Sequence, residues 1–386
     1  MENDTFLGYR RPDGRVGVRN HVAVISASDN ANFVVSRIAN LVLGTVAVTT
    51  GFGRGEIGPD LEQHIRTLSG LGLNPNVYGA IVVSLEPVIA GQVAAPIRES
   101  GKPVEVVTID ECGGSMAATM AGVRIAQRMA IEASRMARTP ADFSCLQIGL
   151  ECGGSDSTSG MVANPAVGLL SDFAVTHGGT VVVSEVAEWI GAERALAAQA
   201  ATPEVGQAIV AAVERTEAYA KSVGLDIAST NPAPDNIKGG LTTLEEKSLG
   251  AVKKGGTTPI RQLTRNGEPP SERGLIFMDA PAPGVENITA LAACGCQVII
   301  FTTGKGNAVG CPVAPTIKVT SNPYTVKRVG ENLDVDLSQA FTDGWSLPQT
   351  ADHLHGCLLE HLNGKLTTAE VLGDTVVSVT RMGFTV

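Results

Sequence analysis

The stretch His21-Val-Ala-Val-Ile25, the amphipathic run from Ala31 to Leu43 and the stretch Thr45-Val-Ala-Val-Thr49 together decide the fold. A short β-branched strand, a helix and a second short strand make one βαβ unit, and the same beat then repeats. Leu61 to Leu71 reads as a helix, Ala80-Ile-Val-Val-Ser84 as a strand, Ile89 to Ser100 as a helix, Val104-Glu-Val-Val-Thr108 as a strand and Met116 to Arg138 as a helix. Apolar strands without polar alternation, separated by amphipathic helices, predict a parallel sheet covered on both faces. Phe143 to Leu150, Ala166 to His177, Thr180 to Ser184 and Gly191 to Ala220 continue the rhythm. It breaks between Ile227 and Pro270, a segment rich in Asn, Pro, Gly, Lys and Thr that contains Lys253-Lys-Gly-Gly-Thr-Thr-Pro259. So long a stretch without apolar periodicity reads as a functional loop or a crossing between units. The strands Gly274-Leu-Ile-Phe-Met278, Gln297-Val-Ile-Ile-Phe301 and Ile317-Lys-Val-Thr320 resume the pattern, with a helix from Val285 to Cys294. The expectation is an α/β protein with parallel or mixed sheets and helices on both faces. It divides into an N-terminal α/β domain over 1–226, a loop-rich crossing over 227–270 and a C-terminal Rossmann-like α/β domain over 271–386.

Composition narrows the function. Hydrophobic residues are 44% and charged residues 18% of 386, which suits a large packed core. The 29 Lys and Arg against 39 Asp and Glu leave a net charge of −10, so no basic footprint for nucleic acid or an anionic membrane exists. A cleft still focuses local charge, so a small acid remains a fitting substrate. No apolar run reaches membrane-spanning length, and Met1 to Arg19 carries no secretory h-region. Seven irregularly spaced cysteines read as reduced thiols or metal ligands rather than a disulfide framework. A cytoplasmic enzyme is expected.

Two turns repeat a motif, Glu111-Cys-Gly-Gly-Ser115 and Glu151-Cys-Gly-Gly-Ser155, each after an apolar strand. A thiol and small backbone at the carboxyl edge of a sheet lie where α/β proteins bind ligands, and a helix start there can hold an anion. A tight turn with a small buried thiol is the plainer reading. Cys152 is the stronger candidate of the two, because Ser155, Asp156, Thr158 and Ser159 crowd behind it. In Ser184-Glu-Val-Ala-Glu188, Glu185 follows a Val-rich strand and should reach the same edge, where a carboxylate can bind a metal or take a proton; Glu188 reads as structural. Thr302-Thr-Gly-Lys-Gly306 lacks the spacing of an NTP-binding loop, yet Lys305 could clamp a carboxylate. Gly8-Tyr-Arg-Arg-Pro-Asp-Gly-Arg-Val-Gly-Val-Arg-Asn-His21 gathers four arginines ahead of the first strand, and His64 and Arg66 share a predicted helix after Gly51-Phe-Gly-Arg-Gly55.

These strings resemble the altronate/galactarate dehydratase family. The resemblance is carried by the Gly8–His21 opening, Cys152-Gly-Gly-Ser-Asp156, Ala163-Asn-Pro-Ala-Val-Gly168, Ser184-Glu-Val-Ala-Glu188, Pro281-Ala-Pro-Gly-Val-Glu-Asn287 and Phe301-Thr-Thr-Gly-Lys-Gly306. Gly53-Arg-Gly55, His64, Arg66-Thr67 and Asn74-Pro-Asn-Val77 look closest to the branch containing the large subunit of sulfolactate sulfo-lyase. The resemblance implies a metal-assisted β-elimination from a 2-hydroxy acid: the C2 proton leaves, the C3 substituent departs and the enol ketonises to a 2-oxo acid. A weak carbon acid needs cations or a Lewis acid for the developing enolate, which explains the residue types. On that implication Cys152, Glu185 and His21 would hold a divalent ion, iron(II) first and manganese or zinc after it. Glu185 would also act in catalysis. His64 would carry protons, Arg19 and Lys305 would clamp carboxylate, and Ser155, Asp156, Asn164 and Arg66 would line the substrate site. Single-chain members carry a small β-rich domain ahead of this region, so a separate small subunit in an oligomer is implied. Dehydration of a sugar acid, sulfite release from sulfolactate and a non-catalytic binding subunit all remain open.

Overall fold

The structure, a computed structural model, describes Met1 and residues 5–383. Four parallel strands form the first unit, in the spatial order Thr45–Val48, His21–Ser26, Val77–Ser84, Val104–Thr108. Alternate residues of the central strands serve opposite faces. Val22, Val24, Ile81 and Val83 pack with Val34, Val35 and Ile38 of one helix and Ala118 and Ala126 of another. Ala23, Ile25, Ala80 and Val82 pack with Leu68, Leu71, Val93 and Ile97 on the other side. Both faces are therefore apolar, which is why these strands read as unbroken β-branched runs.

The second unit is one seven-stranded sheet, all parallel. Its order is Ile260–Arg265, Gly274–Asp279, Thr180–Val183, Gln147–Cys152, Val298–Thr302, Thr316–Thr320, Val335–Asp336. The expected division into 1–226 and 271–386 is corrected by this order. Strands from before the loop-rich segment occupy the middle of the sheet, and strands from after it flank them. Crossover connections let parallel neighbours lie far apart in sequence, so periodicity gives the elements without their order. Residues 227–270 are no crossing between units. They hold helices Ile227–Thr230, Pro234–Lys238 and Leu244–Val252 and the edge strand Ile260–Arg265. The expected long helix after Gly191 is two helices, Glu193–Gln199 and Pro203–Ser222, because Pro203 starts a new one with Thr202 accepting from Val205 N.

A small antiparallel sheet pairs Phe6–Arg10 with both Val16–Gly17 and Thr139–Ala141, tying the amino terminus to the junction. The two units share one core: Ile25, Leu68 and Val82 lie in the same cluster as Val182, Ile276, Met278 and Ile299. Helix Pro59–Leu73 packs on helix Gly284–Ala293 so closely that a Cβ at Gly70 would come within 2.4 Å of the Ala293 carbonyl oxygen. Among the described residues no helix is long and apolar enough to cross a membrane.

Two buried asparagines stitch the junction. Asn74 Nδ2 donates to the carbonyls of Ala292 and Cys296, both at 2.8 Å. Asn76 Nδ2 donates to those of Gln297 (2.8 Å) and Val313 (3.0 Å), while its Oδ1 accepts from Val18 N and Arg19 N. Asn76→Ala leaves those backbone groups unpaired, and at roughly 1 kcal/mol for each of the four bonds it is expected to cost about 4 kcal/mol in urea unfolding. A loss below about 1 kcal/mol would show that the stitch carries little of the stability.

Candidate active site

The chain leaves the Gln147–Cys152 strand to form a neighbour on one side of it, Thr180–Val183, and returns later to form one on the other, Val298–Thr302. The carboxyl end of the central strand is thus a topological switch point, where α/β sheets bind ligands. The Gly-rich turns there are zipped together, Gly153 N donating to Thr302 O (2.7 Å) and Gly304 N to Gly154 O (2.9 Å). Asp156 organises the turn: it accepts from Ser159 N, Ser159 Oγ, Thr158 Oγ1 and Asn322 Nδ2 at 2.7–2.9 Å. It sits so tightly against Gly304 that a Cβ there would lie 2.3 Å from its carboxyl carbon.

Cys152 ends its strand and Glu185 follows the next one. Glu185 has φ 75°, the single non-glycine residue in the left-handed region among the described residues. Strain of this kind persists where surrounding structure imposes it, commonly at functional sites. Its Oε2 accepts from Cys152 N and from Lys254 Nζ, both at 2.8 Å. Lys254 also donates to Cys152 Sγ. The lysine is 1% exposed and enters from the turn Lys253–Gly255, where its carbonyl accepts from Ser171 Oγ at 2.7 Å. Glu151, fully buried, accepts from Asn287 Nδ2, and Glu188 pairs with Lys247 at 2.8 Å.

Cys152, Glu185 and Lys254 therefore meet where water is scarce, with Glu151 and Glu188 close enough to bear on their charges. Burial pushes the Glu185 carboxyl up to about 7 despite the adjacent Lys254. Burial, then the neighbouring Glu185, pushes Glu151 well above the carboxylate range, and burial likewise raises the Cys152 thiol. Burial opposes the Lys254 charge, but the Cys152 sulfur and the Glu185 carboxylate outweigh it and keep the ammonium. Glu151 Oε1, Glu188 Oε2, Ser184 Oγ and Asn164 Oδ1 are buried without a hydrogen-bond partner, which leaves them unused polar capacity. A carboxyl poised near neutrality can take a proton, and a fixed ammonium can hold a carboxylate or an enolate.

Of the expected site residues, Cys152 and Glu185 come together, and Ser155, Asp156 and Asn164 lie on the turn and helix just behind them. Asn236 Nδ2 holds the Ser155 carbonyl at 2.9 Å and Asn164 Nδ2 that of Gly250 at 3.0 Å. Lys305 stays at the turn, partly exposed, 3.5 Å from Asp235. Arg66 is elsewhere, its Nε on the Asn266 carbonyl at 3.0 Å. Two expectations are corrected. Arg19 is no carboxylate clamp: all five of its donors are taken, by Glu370 and by the carbonyls of Val18, His361 and Lys365. His21 is no partner of Cys152 and Glu185. It opens a strand at the amino edge of the other sheet, beside Arg19 and Glu370, where burial pushes its imidazole down to about 4. The anticipated metal ligands consequently do not fit an iron site. Among the described residues no group of three His, Cys, Asp or Glu side chains is arranged for a metal, and the Lys254 ammonium lies between Cys152 and Glu185. Sequence reasoning missed Lys254, Glu151 and Lys247; the one available signal was a lysine directly before Gly255-Gly256 in the loop-rich segment.

Buried carboxyls around an ammonium at a parallel-sheet switch point give this chain a site that can move protons and hold an anion. Its family follows from the whole chain. Residues 143–385 match the family described as D-galactarate/altronate dehydratase, C-terminal, and residues 8–134 match D-galactarate dehydratase/altronate hydrolase, second domain. The chain belongs to the galactarate/altronate dehydratase family. It is 39% identical to (2R)-sulfolactate sulfo-lyase subunit beta of Chromohalobacter salexigens, over 99% of this chain and 98% of that one. It is 32% identical to altronate dehydratase of Escherichia coli over 94% of this chain and 74% of that one. With galactarate dehydratase (L-threo-forming) of the same organism it shares 31% over 95% of this chain and 74% of the other. All three are lyases by name, and the family to which this chain belongs is one of lyases.

The raised carboxyls set the pH dependence of stability. A carboxyl whose folded pKa lies above its unfolded value binds protons more tightly when folded, so its contribution is present at low pH and is lost as pH rises. For Glu185 that window runs from 4.5 to about 7. Glu151→Gln removes a carboxyl that must hold its proton to stay buried and leaves an oxygen for Asn287. The melting temperature of this variant relative to wild type is expected to be higher near pH 8 than near pH 5. An equal difference at the two pH values would contradict the raised Glu151 carboxyl.

Proposed function

We propose that this chain catalyses β-elimination from a small 2-hydroxy carboxylic acid, and the contact that carries the reading is Lys254 bridging Cys152 and Glu185. Glu185 takes the C2 proton. The Lys254 ammonium lies against the enolate that develops, where a low-dielectric surround strengthens its attraction. Cys152, through its backbone N–H, keeps the base oriented. Expulsion of the C3 substituent and ketonisation then give a 2-oxo acid.

Sulfite as the leaving group, from a 3-sulfo-2-hydroxy acid such as sulfolactate, is favoured by the match along both full lengths to a protein named for that substrate. Loss of water from a sugar acid of the altronate or galactarate kind is the second reading, favoured by the two dehydratase relatives and by the family descriptions. A separate small subunit completes the enzyme in this reading. The sulfo-lyase relative is named as a subunit, and the chain spans 74% of each Escherichia coli dehydratase.

Incubation with sulfolactate, altronate and galactarate, with and without the small subunit, separates the readings: sulfite with 2-oxo acid supports the first, 2-oxo acid alone the second. Neither product from any of the three acids contradicts both. Lys254→Met is expected to lower kcat/KM roughly a hundredfold or more, the scale of one lost oxyanion-stabilising donor. Turnover within about threefold of wild type would remove Lys254 from the mechanism.

A further inference from the structure

A second pair of buried titratable groups lies at the carboxyl edge of the first sheet. His64, on helix Pro59–Leu73, is 1% exposed. Its Nε2 lies 3.0 Å from the Ala27 carbonyl, which can only accept, so Nε2 carries a hydrogen. That leaves Nδ1 facing Glu56 Oε1 at 3.5 Å, with both side chains buried. Glu56 Oε1 also accepts from Gly53 N at 3.1 Å, and burial raises its carboxyl above the usual range against the pull of His64. Two bare lone pairs facing each other in so dry a place would repel. A single proton shared between Nδ1 and the carboxyl removes that repulsion. Nδ1 and Glu56 Oε2 have no hydrogen-bond partner.

Two packed segments connect the pair to the Lys254 centre. Asn287 binds Glu151, and Glu286 of the same helix accepts from Thr380 Oγ1 at 2.8 Å. The chain then runs on to Arg381, whose guanidinium stacks 4.1 Å over Phe52, and Asp60 takes the N–H groups of Met382 and Gly383. Arg381 and Asp60 are the other charges bearing on Glu56. A relay of contacts through helix Gly284–Ala293 and the carboxyl-terminal segment thus links the pair to the centre.

We propose that Glu56 and His64 form a proton-sharing dyad that protonates the leaving group, an inference that rests on the lyase reading. The C2 proton passes to Glu185 and the C2–H electron pair becomes the C2=C3 bond. The bond from C3 to its substituent breaks with its electrons on the departing atom, which takes the dyad's proton and leaves as water or hydrogensulfite. On ketonisation Glu185 returns its proton to C3 and the enol hydroxyl restores the dyad's. Both carriers end as they began, and no oxidant or reductant is consumed.

The test uses the active preparation with sulfolactate and altronate as probes and follows two rates, C2 deuterium exchange from D2O and product release. Glu56→Gln and His64→Gln are expected to lower product release roughly a hundredfold, the scale of one general acid, with exchange retained and KM little changed. Glu56→Asp should restore part of the loss. Release within about threefold of wild type, or exchange falling in the same proportion as release, would overturn the dyad. Loss of exchange in Glu185→Gln marks the underlying lyase reading, and retained exchange there defeats that reading independently of the dyad. Should either variant fold poorly, the 15N signal of His64 Nδ1 in the wild-type protein decides: a proton-bearing or strongly hydrogen-bonded nitrogen supports the dyad, a bare acceptor overturns it.

Discussion

A lysine ammonium removed from water is costly unless it is paired and hydrogen-bonded, and the second unit is arranged around one that is. Lys254 meets the carboxylate of Glu185 and the sulfur of Cys152 at 1% exposure. Each partner is fixed by a different part of the fold. Cys152 ends one strand and Glu185 follows its neighbour at the middle of the seven-stranded sheet, and Lys254 arrives on the loop-rich segment pinned to helix Asn164–Thr176 by Ser171. Removing any one of the three strands the other two in an apolar surround. The left-handed backbone at Glu185 is consistent with that demand, since a relaxed turn would aim its carboxylate elsewhere.

The first unit supplies something different. Its sheet shares a core with the second, and buried amides of Asn74 and Asn76 lock the two together. Raised carboxyls on both sides follow from the same cause, burial outweighing the available cations. The protein gives up stability at neutral pH to keep proton-holding groups there, a familiar exchange at functional sites.

Much of this was legible in the sequence. The parallel α/β class followed from apolar strands without alternation, and the placement of Cys152 and Glu185 at neighbouring strand ends was readable from local pattern. Lys254 was not, since it contacts residues 102 and 69 positions away and nothing local marks a lysine that will be buried. The division near residue 270 failed for a related reason: strand order in a parallel sheet is a long-range property. His21 and Arg19 misled because they share a short basic stretch with residues of the resemblance. The structure spends Arg19 on Glu370, 351 residues away, as a tie between the ends of the chain. Asn74 and Asn76 belonged to a recognisable string whose task is architectural.

Product binding separates a catalytic Lys254 centre from a structural one. A crystal structure with the 2-oxo acid bound should place an oxygen of its carboxylate or keto group within hydrogen-bond distance of Lys254 Nζ, with C3 facing Glu185. Product seated at another edge of either sheet, with the contacts among Cys152, Lys254 and Glu185 undisturbed, would contradict the claim that this ammonium is the centre of the chemistry.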